Sequence, residues 1–344
     1  VRGGAGPSAG WFAAGLVTLS AAVLLGVSAG AASLSAADIA RHLLSLLPLG
    51  VESPLTERQE ALLVQLRLPR VVMGVLVGAL LATAGGAYQG VFRNPLADPF
   101  LLGAAAGAGL GATLVIVFGA QFSDSPRALV PVAAFLGALF GVAAAYLLGA
   151  TAGGGGTASL VLAGVAVSSF LSAAQTLVQQ MGVDQLQRIF SWLLGGIGGG
   201  GWDDVRLVWP YAAVALLVLL ACGYLLDMLA LGDDKAVSLG LNPAAVRLVV
   251  IGAASLATAA AVSVSGLIGF VGIVVPHVVR RLVGSNYRAI LPVTVLLGGA
   301  FMVLVDIVAR TLVAPAELPI GVVTAFLGAP FFVLILRTTR HRGT

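Results

Sequence analysis

Few residues in this chain could carry out covalent chemistry, and their spacing limits what they could do. The only lysine, Lys235, follows LGDD in place of a glycine-spaced loop. A G-x-x-x-x-G-K-[ST] nucleotide loop is therefore impossible here, and any ATP must be hydrolysed elsewhere. Ser263 or Ser265 with His277 offers a nucleophile and base on paper, which an intramembrane hydrolase would need. Such pairs arise by chance in a serine-rich apolar chain, and a lone His277 is more often a hydrogen-bonded structural residue than a metal ligand. The other histidines, His42 and His341, are scattered, and the single cysteine, Cys222, lies in an apolar run and excludes an internal disulfide. Asp306 and Glu317 are the late acids that ion coupling could use, though both fall near a predicted helix end. Asp306 also lies one turn before Arg310 and could pair with it at i, i+4.

The elements that must position these residues are helices in a bilayer. Hydrophobic residues make up 59% of the chain and charged residues only 9%, too few charges to cover a soluble globule of 344 residues. The 46 glycines suit helices whose backbones approach closely. A formal net charge of +4, spread over loops without a basic block, reflects membrane topology rather than nucleic-acid binding. The stretch RLPRVVMGVLVGALLATAGGAYQGVFRNPLADPFLLG, residues 67–103, organises the rest. Its apolar run is long enough to cross a bilayer core of about 30 Å. Pro95 and Pro99 then break the helix, since proline can neither donate its backbone nitrogen nor continue the turn.

Ten spans are expected, at 11–33, 68–91, 100–119, 129–149, 158–180, 207–229, 248–265, 268–283 (interrupted by Pro276), 290–310 and 319–337. The fold class is all-α, a polytopic membrane protein with one transmembrane domain over residues 1–344. A cleaved signal peptide ending at the small residues 29–33 competes for the first span. Residues 34–66 form a long polar connection, and TAGGGGT at 151–157 is a flexible link lacking the lysine of a phosphate loop. The segment GVDQLQRIFSWLLGGIGGGGWDD is partly amphipathic and is expected at the membrane surface. LGDDKAVSLGLNPAAVR, residues 231–247, reads as two short helices outside the bilayer. Asp233 or Asp234 would cap the first, Gly240 would end it, and Asn242 would cap the second with Pro243 at its first position.

Ten crossings put both termini on one side. Assigning that side to the cytoplasm places Arg2, Arg93, Lys235, Arg247 and the clusters at 280–288 and 337–342 inside. It leaves Arg41, Arg58, Arg67, Arg70, Arg127, Arg188, Arg206 and Arg310 outside. Exposed arginines suit bidentate pairing with carboxylates of a partner protein; contacts with lipid headgroups or local acids are the alternative.

The motifs RLPR at 67–70, RNPLADPFLLG, LVLAGVAVS at 160–168, WLLGGIGGGGW, LGDDKAVSLG, SGLIGFVGIVVPHVVR at 265–280 and DIVARTLVAPAELPIGVVTAFLGAPFF at 306–332 resemble the FecCD permease family. Its members are membrane subunits of type II ABC importers for ferric siderophores, haem and cobalamin. The resemblance implies ten helices per subunit, a second permease copy in a homodimer, two ATPases that carry ATP and magnesium, and an extracytoplasmic substrate-binding protein. It implies a multi-pass chain in a prokaryotic cell membrane with both termini cytoplasmic, and no cofactor, metal or nucleic acid bound by this chain.

By the same resemblance, residues 231–247 form the coupling loop, with Gly232, Asp233, Asp234, Lys235, Ser238 and Gly240 meeting the ATPase. Arg67, Arg70 and Arg310 would receive glutamates of the binding protein, and such rim pairs orient more than they add affinity. Asn94, Leu96 and Thr157 would form a cytoplasmic gate with Leu96 as an apolar constriction, although Asn94 could merely cap its turn. Transport would proceed by alternating access, and an ion-coupled secondary transporter is the alternative class. A ferric siderophore leads as cargo because it is the commonest in the family. WLLGGIGGGGW looks closer to cobalamin permeases, and haem follows, with no Cys or Met pair to relay it.

Overall fold

The computed structural model describes residues 9–29, 35–45, 52–123, 125–151 and 157–340, the side chains at 9, 36, 43, 126, 157 and 334–340 excepted. The glycine link at 152–156, Arg2, His341, Arg342 and most of the candidate cleavage site lie outside the described residues. Helices α1 (Ala9–Ser28), α2 (Ala36–Ser45), α3 (Glu57–Leu62), α4 (Leu68–Phe92), α5 (Ala104–Phe118), α6 (Pro126–Thr151), α7 (Thr157–Met181) and α8 (Leu186–Leu193) form the first half. The second half holds α9 (Trp202–Ala221), α10 (Gly223–Ala230), α11 (Asp233–Ser238), α12 (Pro243–Ser265), α13 (Val271–Val283), α14 (Tyr287–Thr311) and α15 (Ile320–Arg340).

Eight of the described helices are long and apolar enough to cross a membrane. With the shorter α13 and with α15 they account for the ten expected spans. The sixth span is α9 followed by α10, joined through Cys222, whose N–H still donates to Val218 O at 3.0 Å.

α4 is the axis of the bundle and is buried along nearly its whole length. Its glycines explain how. Gly78 faces Gly298 of α14 and Gly85 faces Gly272 of α13, so closely that a methyl at Gly78, Gly85 or Gly298 would overlap the partner's backbone. Small residues matter here because lipid provides no hydrophobic drive for helices to associate. Gly107 and Gly137 bring α5 against α6 in the same way. Ahead of α4, a capping box starts α3: Thr56 N–H donates to Gln59 Oε1 at 2.9 Å and Gln59 N–H to Thr56 Oγ1 at 3.4 Å. A π-turn at Leu63–Arg67 then leads directly into α4.

Two expectations change. The eighth span is not interrupted at Pro276, which sits inside α13. A helical proline leaves the carbonyl four residues earlier without its usual donor, and Gln89 Nε2 of α4 supplies one to Gly272 O at 3.2 Å. The break comes earlier, over residues 266–270, where Gly266 and Phe270 have φ of 65° and 68°. At 13 residues, α13 is about 20 Å long and too short to span alone. Irregular backbone at membrane depth needs partners inside the protein. At its two ends Gly266 N–H donates to Val262 O at 2.9 Å and Phe270 O accepts from Val274 N–H at 2.9 Å, and the neighbouring glycine segment is tied in by Gly196 N–H to Ser265 O at 2.8 Å and Ile320 N–H to Gly195 O at 3.0 Å.

The second correction concerns residues 231–247, which hold one short helix rather than two. α11 is separate, but the expected second helix is the start of α12. Asn242 Oδ1 accepts from Ala245 N–H at 3.2 Å as the expected cap, and nothing after Pro243 breaks the helix before Ser265. Gly232, with φ of 109°, takes the N-cap position of α11 that was expected of Asp233 or Asp234.

Candidate functional site

At one end of the bundle, the ends of α1, α12 and α14 meet the starts of α4, α9 and α15. Arg70 donates to Asp306 through Nε at 3.0 Å and Nη2 at 2.8 Å, and to Glu317 through Nη1 and Nη2, both at 2.9 Å. Arg310 Nε lies 3.4 Å from Asp306, one turn away on α14. Arg67 Nη1 reaches Val27 O at 2.8 Å and Ser28 O at 3.0 Å, and Arg310 Nη2 reaches Gly26 O. The last carbonyls of a helix lack intrahelical donors and carry the negative end of its dipole. Two arginines thus close the C-terminus of α1.

This corrects the expectation that Arg67, Arg70 and Arg310 stand exposed. Arg67 is only 6% exposed, and the side chains of Arg70 and Arg310 are 14% and 7% exposed, Arg70 divided between Asp306 and Glu317 and Arg310 donating to Gly26 O beside Asp306. Glu317 is the accessible member of the cluster, with half its side chain exposed. Hydrogen bonds from Arg70 hold its carboxyl below the usual glutamate range. Beside the cluster a cavity of about 1210 Å³ opens, walled by Arg70, Glu317, Arg127, Arg188 and the glycine segment 195–200.

The alternative chemistries lack their geometry. Ser263 Oγ donates to Ala260 O at 2.8 Å and Ser265 Oγ to Ala261 O at 2.9 Å, while His277 packs edge-on against Phe331. Asp306, a candidate ion-coupling acid, is already paired with two arginines.

At the opposite end, α4 stops at Arg93, whose φ of 48° turns the chain. Asn94 N–H returns to Gln89 O at 3.2 Å, and Asn94 Oδ1 accepts from Leu96 N–H at 3.0 Å. Asn94 therefore does cap its turn, and it is exposed, with Leu96 half-buried beside it. Asp98 Oδ1 accepts from Phe100 N–H at 2.8 Å, and Pro99 lies against Gly272. Thr157 is the first residue of α7, a helix that packs through Gly164 on the backbone at Leu101.

Next to this turn sits α11. Lys235, Val237, Ser238 and Leu239 are exposed, and Ala236 is buried beneath them. Ser238 Oγ donates to Lys235 O at 2.8 Å, and Gly240, with φ of 84°, ends the helix as expected. Asp233, its side chain 45% exposed, lies between Arg93 and Arg247. It accepts from Arg247 Nη2 at 2.8 and 2.9 Å and from Arg93 Nη2, and these hydrogen bonds, that of Arg247 foremost, hold it below the ordinary aspartate range. Sequence reasoning counted Arg93 and Arg247 only as topological charges. It also missed the set in which Arg280 Nη2 donates to Gln89 Oε1 and Tyr287 Oη. The left-handed position of Arg93 has no signature in sequence beyond the prolines that follow.

The model of the FecCD transport family matches residues 18–338. The chain belongs to that family. Among relatives of this FecCD permease, an uncharacterized ABC transporter permease protein of Bacillus subtilis is 37% identical, covering 96% of this chain and 93% of its own. The cobalamin import system permease protein of Halobacterium salinarum is 38% identical over 83% of this chain and 76% of its own. The hemin transport system permease protein of Yersinia pestis is 39% identical over 81% and 84%. A solved ABC transporter assigned to the metal-chelate type, in an inward-facing conformation, superposes with a TM-score of 0.83 at 31% identity. It covers 95% of this chain and 98% of the solved one. PsaBC of Streptococcus pneumoniae, at 14% identity and a TM-score of 0.56, shares the fold alone.

Proposed function

We propose that this FecCD permease is the membrane subunit of an ATP-driven importer that passes a bulky metal chelate across a prokaryotic cell membrane by alternating access. A second permease copy, two ATPases and an extracytoplasmic binding protein complete the machine. The observation that carries this reading is the pairing of two opposite ends. One holds a large open cavity rimmed by charge, and the other holds a proline-broken turn beside an exposed short helix, with no nucleotide loop in the chain.

In this reading α11, with Gly232, Asp233, Asp234, Lys235, Ser238 and Gly240, meets the ATPase. Asn94, Leu96 and Thr157 guard the cytoplasmic exit. The binding protein docks at the outer mouth, where Arg70 and Glu317 line the cavity. Arg67 and Arg310 act behind them by holding α1 in place. Both termini lie in the cytoplasm. No cofactor is required of this chain.

A ferric siderophore is the first cargo to test, in keeping with iron-chelate and Fe(3+)-citrate permeases among the relatives. Cobalamin is the second reading, and the glycine segment GGIGGGG with the Halobacterium salinarum relative favours it. Proteoliposomes holding the chain with its co-purifying ATPase should accumulate one of labelled ferric hydroxamate, cobalamin or haem, given a matching binding protein and ATP. Uptake that proceeds without the ATPase would overturn the proposal.

A further inference from the structure

Arg93 occupies a conformation that a side chain rarely adopts, at the position after a helix where glycine is the usual residue. A non-glycine residue persists in the left-handed region when its surroundings over-determine it. Here the surroundings are its own guanidinium contacts. Arg93 Nε donates to Leu229 O at 3.0 Å, a carbonyl near the end of α10. Its Nη2 donates to Asp233, the first residue of α11. Asp233 in turn takes Arg247 from the first turns of α12. One carboxylate therefore joins three elements: the root of the turn at 93–103, the short surface helix, and the span that follows it.

The turn itself is braced as a unit. Asn94 and Asp98 each accept a backbone N–H two residues on, Pro99 presses on Gly272 of α13, and Leu101 presses on Gly164 of α7. A displacement applied at its root would thus be carried to Leu96 rather than absorbed within the loop. The ordinary alternative is a solvated surface pair. Arg93 and Asp233 are 38% and 45% exposed at their side chains, but Arg247, which grips Asp233 from below, is only 15% exposed and ties the pair to the body of the bundle.

We infer that Arg93 and Asp233 form the mechanical joint that carries movement of α11 to the gate turn, with Arg247 holding the joint in register. They are positioning residues, since none of them touches cargo or nucleotide. The inference rests on the reading of α11 as the element that meets the ATPase.

The test uses the whole transporter, with its ATPase and binding protein, in proteoliposomes. Spin labels at Val237→Cys on α11 and Leu96→Cys in the turn report each element in separate samples. In the parent, trapping with a non-hydrolysable ATP analogue should shift both. In Arg93→Gln the Val237→Cys label should still shift while the Leu96→Cys label does not, and uptake per ATP hydrolysed should fall roughly fivefold. Arg93→Lys keeps the charge but cannot reach Leu229 and Asp233 together, and should fall between the two. Arg206→Gln, in an exposed pair at the other end, should change neither readout. If both labels still move in Arg93→Gln, the joint lies elsewhere and the inference is overturned. If the Val237→Cys label does not move in the parent, the reading of α11 fails and the inference falls with it.

Discussion

Arg70 stands between Asp306, 1% exposed, and Glu317, half exposed, and the two carboxylates make opposite demands on it. Asp306 needs a cation because a carboxylate inside a bundle cannot remain unpaired without large cost. Arg310 approaches it only at 3.4 Å, so Arg70 supplies the close contacts. Arg70→Ala should lower stability by about 3 kcal/mol, read as thermal unfolding of the purified protein in detergent. Adding Asp306→Asn should recover part of that loss, because the stranded charge is then gone. Arg206→Ala, which breaks an exposed i, i+3 pair with Asp203, should change stability by less than about 0.5 kcal/mol. Equal losses in the two single variants would contradict this account of the cluster.

Several helix pairs in this molecule meet by close backbone approach at glycines. Gly78→Val should destabilise by about 2 kcal/mol or more, because the new side chain meets Gly298 O of α14 with nowhere to go. Gly252→Ala on α12 meets open space and should be neutral or gain up to about 1 kcal/mol from helix propensity. Thermal unfolding of the two variants side by side checks both signs. The anchoring of α11 carries a pH signature. Asp233 has a lowered pKa in the folded protein, so its contribution is fully present above the ordinary aspartate value of 3.8 and is lost as pH falls through the lowered one. The mobility of a spin label at Val237→Cys should therefore stay flat from about pH 8 to pH 5 and rise only below about pH 4. A midpoint near neutrality would point to another group.

The whole bundle has two chemically different ends, and its orientation follows from which of them faces the cytoplasm. Phe122, 80% exposed, lies between α5 and α6 at the end that holds Arg70, while Val237, 59% exposed, lies at the other. In intact cells a membrane-impermeant thiol reagent should label Phe122→Cys but not Val237→Cys, and both after permeabilisation. Cys222 is buried and should give little background. The reverse pattern would invert the topology and with it the assignment of mouth and gate.

Much of this was legible without coordinates. The number of spans, the all-α class, the break after α4, the cap at Asn242 and the end of α11 at Gly240 all follow from local causes. Apolar run length, proline and glycine act on the residues beside them, and a linear sequence records those neighbours faithfully. Partner choice is different. Arg67 finds the last carbonyls of α1 some 40 positions earlier, Arg310 finds another 284 away, and Pro276 is tolerated because Gln89 of α4 meets the carbonyl it leaves free. Whether an arginine faces solvent or closes a helix end depends on which chain ends meet in space. Only the packing of α4 against α1, α13 and α14 decides that, because charges and hydrogen bonds act over a few ångströms whatever the separation along the chain.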